Sequence, residues 1–164
     1  MKRLSIISLL LWIGMVAFAT GKSKVMWLDC SANFQRFSYP DSIRYYVDKC
    51  HEAGITHLVL DIKDNTGEVL YPSKYTAQKK NWKNFDRPDF DFINTFIKAA
   101  HAHGMVIFAG MNIFADGQNI VKRGAVFDKH KKWQAINYVP RKGLLPVTEI
   151  EGKPTMFLNP ALKQ

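Results

Sequence analysis

"GITHLVLDIKDNTGEVLYPS", residues 54–73, begins as an apolar strand and turns abruptly polar. Leu58-Val59-Leu60 run into Asp61, Lys63 and Asp64, and a loop ending in Tyr71-Pro72-Ser73 follows. Charges that end a buried strand mark one of two things. Either the chain meets water there, or the strand carries a site at its tip. Two further runs have the same make-up, "VMWLDC" at 25–30 and "MVIFAGMN" at 105–112. Short apolar runs bounded by turn residues read as buried parallel strands.

The intervals between these runs read as helices. In "YPDSIRYYVDKCHEAG", residues 39–54, Ile43, Val47 and Cys50 recur at helical spacing, Pro40 opens the pattern and Gly54 stops it. In "RPDFDFINTFIKAAHAHG", residues 87–104, Phe92, Ile93, Phe96, Ile97 and Ala100 share one face and Gly104 is the stop. Strand, helix, glycine, strand, repeated, predicts an α/β fold built from βαβ units.

Alternation along each strand assigns faces. His57, Val59, Asp61 and Lys63 share one face of the second strand, and Leu58, Leu60 and Ile62 share the other. Val25, Trp27 and Asp29 line up on the first strand, and Val106, Phe108, Gly110 and Asn112 on the third. If the all-apolar faces take the helices, the mixed faces look inward and become polar only at the carboxyl ends. That is the mouth of a (β/α)8 barrel. The expectation is the N-terminal portion of a TIM-type barrel with about three strands present, so that residues 20–164 form an incomplete domain of a longer protein. A complete small α/β domain of another topology is the competing layout, and it leaves sheet edges that need cover.

Residues 1–19 stand apart. Lys2 and Arg3 precede an apolar run from Leu4 to Phe18, and Ala17-Phe18-Ala19 supplies a small-residue cleavage site, the pattern of a secretory signal peptide. The run is too short for a membrane span of about 20 residues. A secreted or periplasmic protein with no membrane span after cleavage follows. The formal net charge of +9 favours anionic partners. The lysines, however, come in short scattered groups such as Lys79-Lys80-Lys83 and Lys129-Lys131-Lys132, read here as a solvated face. No nucleic-acid motif accompanies them, and no nucleic-acid partner is expected.

The compartment permits a disulfide between Cys30 and Cys50, but the layout opposes it. Cys30 sits at the top of the first strand and Cys50 in the last turn of a helix that has run back roughly 20 Å, whereas a disulfide needs Cα atoms within about 7 Å. Two free, mostly buried thiols are expected. His101 and His103, two apart on a helix, point in different directions. No metal and no cofactor are expected, and His101 is read as a structural hydrogen-bonding residue.

Four segments together, "MWLDCSANF", "LVLDIKDNTGEVLYPS", "AAHAHGMVIFAGMNIF" and "FLNPAL", resemble the glycosyl hydrolase-like 10 family of secreted bacterial (β/α)8-barrel proteins. Gly67-Glu68-Val69-Leu70-Tyr71, Ala100-His101, Asn112 and Leu158-Asn159-Pro160 occupy positions of its motifs. The chain departs from the family at Lys63, where the family has arginine, and at Phe108-Ala109-Gly110, where it has His-Ala-Trp. The resemblance implies a secreted glycosidase acting on a polysaccharide by carboxylate-assisted hydrolysis, with the strand-four carboxylate beyond Gln164, so that this chain is inactive alone. Glycoside hydrolysis uses two carboxyl groups about 5 to 9.5 Å apart, and Asp29 and Asp61 are the candidates. Asp61, Lys63, Tyr71 and Asn112 are the candidate substrate-binding residues, with Tyr71 and Trp82 offered as platforms for a sugar ring. Asp64 reads as an ordinary loop residue. The alternative is a non-catalytic glycan-binding or cell-envelope protein that uses the same barrel mouth.

Overall fold

A computed structural model describes residues 22–127, 131–152 and 155–162; the leader expected at 1–19 and the residue Lys129 lie outside this range. Among the described residues no helix is long and apolar enough to cross a membrane.

The first unit follows the chain from strand β1 (Val25–Leu28) through helix α1 (Pro40–Glu52), strand β2 (His57–Lys63), the short strands β3 (Asn81–Trp82) and β4 (Phe85–Asp86), helix α2 (Phe92–Ala102) and strand β5 (Val106–Met111). Each helix has a local cause. Pro40 occupies the first turn of α1, where its missing N–H costs nothing. Asp91 caps α2 by accepting the Asn94 N–H at 3.0 Å, satisfying one of the orphan donors of the first turn. Gly54 and Gly104 stand at φ +75° and +65° just past the two helix ends, a conformation only glycine enters freely.

β1, β2 and β5 form one parallel sheet in that order, with Trp27 beside Val59 and Val59 beside Phe108. Leu58, Leu60 and Ile62 are buried under the helices with Ile43, Val47, Phe92, Phe96 and Ala100, in one core that also holds Cys30, Phe34, Phe37, Leu70 and Met105. Phe96 stands edge-on to Phe37 and Phe92 at 5.3 and 5.1 Å. Both helices therefore cover the same face of the sheet. The other face is open: Val25, Trp27 and Phe108 remain 57, 61 and 51% exposed.

Residues 115–158 build a second, smaller unit. Strand β6 (Ala115–Gln118) pairs antiparallel with β9 (Thr155–Phe157), and β7 (Ile136–Val139) with β8 (Gly143–Pro146). Val126, Val147, Met156 and Leu158 form its core. It docks on the loop after β2 through an Arg123–Glu68 ion pair of 2.6 Å. Backbone fit completes the joint. Gly67, at φ +83°, lies where a Cβ would strike Asp116, and Gly124 is pressed against the backbone of Thr66 and Asp116. Pro160–Leu162 form a turn.

Cys30 and Cys50 are free thiols, the first buried and the second half-buried. Burial pushes the Cys30 thiol far up, helped by the nearby Asp61 and Asp29 charges. Burial also raises Cys50.

Candidate functional site

The carboxyl ends of the three strands open into a cleft of about 230 Å³, lined by Asp29, Ser31, Asp61, Asp64, Lys79, Trp82 and Asn112 among others. Asp29 follows β1, Asp61 lies in β2 and Asn112 follows β5, so strand register brings the three to one rim. Of the sequence candidates, Asp29, Asp61, Trp82 and Asn112 meet here. Asp29 Oδ1 accepts the Ala32 N–H at 2.8 Å, which tightens the turn after β1. Asn112 donates from Nδ2 to Asn65 Oδ1 at 3.3 Å. The Asp61 carboxyl accepts no hydrogen bond among the described residues. Its carboxyl is pushed above the usual range by partial burial first, then by the Asp29 and Asp64 charges.

Lys63 and Tyr71 are placed elsewhere. The Lys63 ammonium donates to the carbonyls of Asn112 at 2.8 Å, Ile113 at 3.4 Å and Ala115. It thereby ties the chain leaving β5 to the tip of β2. Burial lowers its pKa, opposed by the Asp116 and Asp64 charges. Tyr71 packs against the main core and does not line the cleft.

The structure also corrects two readings of single residues. Lys79 belongs to no solvated face: it is 2% exposed, ion-paired with Asp64, and its ammonium lies 4.2 Å from the centre of the Trp82 ring. Asp64 is equally buried and also accepts the Thr66 amide N–H at 2.8 Å. A buried carboxylate and ammonium are tolerated only when paired and hydrogen-bonded, and this pair forms the cleft floor. Nothing in sequence spacing announces it, because the partners lie fifteen residues apart on an irregular loop. Secondly, His103 rather than His101 carries the structural bond. It contacts Asp48 at 2.6 Å and stacks on His51 at 4.4 Å. Among the described residues no group of three or more His, Cys, Asp or Glu is placed to hold a metal ion.

Trp27 was not among the sequence candidates. Its indole crosses β2 and lies on Gly110, with Cζ2 3.2 Å from where a Cβ would stand. Gly110 is the register partner of Asp61, so an exposed aromatic ring borders the acidic mouth. The signal was present in the sequence as a glycine in a strand, which often marks a close approach.

A scan against known protein families finds no match, and no solved structure matches. Among curated proteins, an S-layer-related protein of Niallia circulans is 31% identical over 124 residues, covering 71% of this chain. The chain spans 8% of that relative's length. These findings overturn the glycosyl hydrolase-like resemblance and with it the expectation of a polysaccharide hydrolase. The segments that carried the resemblance have physical duties of their own. Gly67 makes room for Asp116, Leu70 and Leu158 are core residues, and Asn159 accepts the Ala161 N–H at 2.9 Å. Turns and core positions recur in unrelated proteins because backbone geometry demands them, so they are weak witnesses to chemistry.

Proposed function

We propose that this chain is a non-catalytic cell-envelope module, at the cell surface or secreted, that binds a glycan through the strand-tip cleft. The observation that carries the reading is the convergence of Asp29, Asp61 and Asn112 on one rim. Carboxylate and amide side chains held by a rigid sheet are suited to accept and donate hydrogen bonds to sugar hydroxyls. The similarity to a protein with an S-layer name supports a location outside the cytoplasm, as does the leader read at 1–19.

The sheet belongs, on this reading, to a (β/α) barrel of which β1, β2, β5 and the two helices are one part. Both helices lie on one side, and Val25 and Phe108, below the rim, belong to the uncovered apolar surface that further strands would close over. Hydroxyl-radical footprinting of the protein in its native envelope tests this. Protection of Phe108 supports closure, and labelling as heavy as that of the fully exposed Tyr75, at 96%, rules it out.

The binding reading is tested by co-sedimentation with purified cell-wall polysaccharide. Retention that falls at least tenfold in an Asp61→Asn, Asn112→Ala double variant is the expected result. Unchanged retention in that variant, with circular dichroism confirming its fold, removes the cleft from the argument.

A further inference from the structure

The cleft has an electrostatic character opposite to that of the whole chain. The formal net charge is +9, yet the cleft sets Asp29, Asp61 and Asp64 against the single ammonium of Lys79. Lys79 is already paired with Asp64. The next cation, Lys63, turns its ammonium into backbone carbonyls. Asp29 and Asp61 are left with no cation among the described residues.

Two further groups stand without partners of their own kind. Ser31 Oγ is buried with no hydrogen-bond partner among the described residues, and Ser31 belongs to the same cleft wall. The Trp27 indole, 61% exposed, reaches over Gly110, the register partner of Asp61, and so stands at the border of the cleft rather than in its lining. Each asks for a complement: the carboxylates for a cation or a strong donor, the hydroxyl for an acceptor, the indole for an apolar ring face. An aminosugar brings all three, in its ammonium, its ring and hydroxyl oxygens, and the C–H face of its pyranose. A uronic acid brings a like charge to within a few ångströms of two carboxylates, which disfavours it. Partial burial, and after it the Asp29 and Asp64 charges, keep the Asp61 carboxyl above its ordinary range, so a neighbouring cation is the complement it lacks.

We infer that the cleft selects a hexosamine with a free amine, its ammonium held by Asp29 and Asp61 and its ring against Trp27. This rests on the glycan-binding reading above and narrows it. The scattered surface lysines favour the opposite ligand, acidic polymers, and a binding assay must separate the two.

Isothermal titration of the full chain with four probes does so: a glucosamine tetramer, its N-acetylated counterpart, a galacturonate tetramer and trilysine. The expected result is at least tenfold tighter binding of the free-amine tetramer than of the other three. That advantage disappears in Asp61→Asn and in Asp29→Asn and survives in Asp89→Asn, an exposed acidic position outside the cleft lining. Trp27→Ala weakens the glucosamine and N-acetylated tetramers by similar factors. Equal affinity for the two tetramers overturns the amine selectivity, and so does a preference for galacturonate or trilysine binding as tight as the glucosamine tetramer. If the N-acetylated tetramer binds in an Asp61-dependent way without any amine advantage, glycan binding stands and only the selectivity falls. If no sugar binds, both fall.

Discussion

The two faces of the β1-β2-β5 sheet both carry large apolar residues, which meet opposite fates. On one, Leu58, Leu60 and Ile62 are buried by α1 and α2. On the other, Val25, Trp27, Val106 and Phe108 stay 43 to 61% exposed. Composition therefore does not decide burial; the partner layer does. Contiguous exposed apolar surface on a sheet marks a surface made to meet something. The acidic cleft sits at the rim of that open face, where the strands end and polar side chains take over.

The contrast is sharpened first by Phe96→Ala, which empties a fully buried position between Phe37 and Phe92. It is expected to cost about 3–5 kcal/mol in chemical denaturation. Next comes Lys79→Ala, which leaves Asp64 buried without its cation. A loss of about 3 kcal/mol is expected, at the lower end for a broken buried pair because Asp64 keeps its bonds to Thr66. Gly67→Ala forces a side chain into φ +83° against Asp116 and should destabilise by about 1–2 kcal/mol, loosening the joint between the two units.

Asp61→Asn acts in the other direction. A carboxyl whose folded pKa is raised gives the folded state more bound protons than the unfolded state. Stability therefore falls as pH climbs from the ordinary carboxyl value through the raised one. The amide variant should lack this slope and be more stable at neutral pH by less than about 1 kcal/mol, since solvent screens a half-exposed group. Melting temperatures of both proteins across that pH window decide it. The smallest effect belongs to the open face. Phe108→Ala should change stability by no more than about 0.5 kcal/mol. A cost near that of Phe96→Ala would mean that the open face is already packed in the isolated chain, and the comparison would collapse.

How much of this was legible in the sequence differs from one element to the next. The three strands and both helices were readable because their apolar residues recur at periods set by local geometry, and Gly54 and Gly104 announced the helix ends. The meeting of Asp29, Asp61 and Asn112 followed from alternation along parallel strands. The Asp64–Lys79 pair was not readable: Lys79 looked like one more surface lysine until an irregular loop carried it under Trp82. Lys63 looked like a site residue, and its position on the strand was inferred properly. Only the path of the chain after β5 put three carbonyls within its reach. Residues 115–158 carry no helix or strand expectation from the sequence, yet they hold a core of four buried apolar residues, gathered by short antiparallel pairs too brief to leave a pattern.

By itself, then, the sequence determined the parallel βαβ framework, the sidedness of its strands and the polar rim at their tips, because each depends on spacing between residues close along the chain. Tertiary structure alone decided which charges are buried in pairs, which face of the sheet stays bare, where Trp27 lies and which carboxylates have no cation among the described residues. Those outcomes depend on segments brought together from far apart, and the free energy of burying or pairing a group is fixed by its final neighbours.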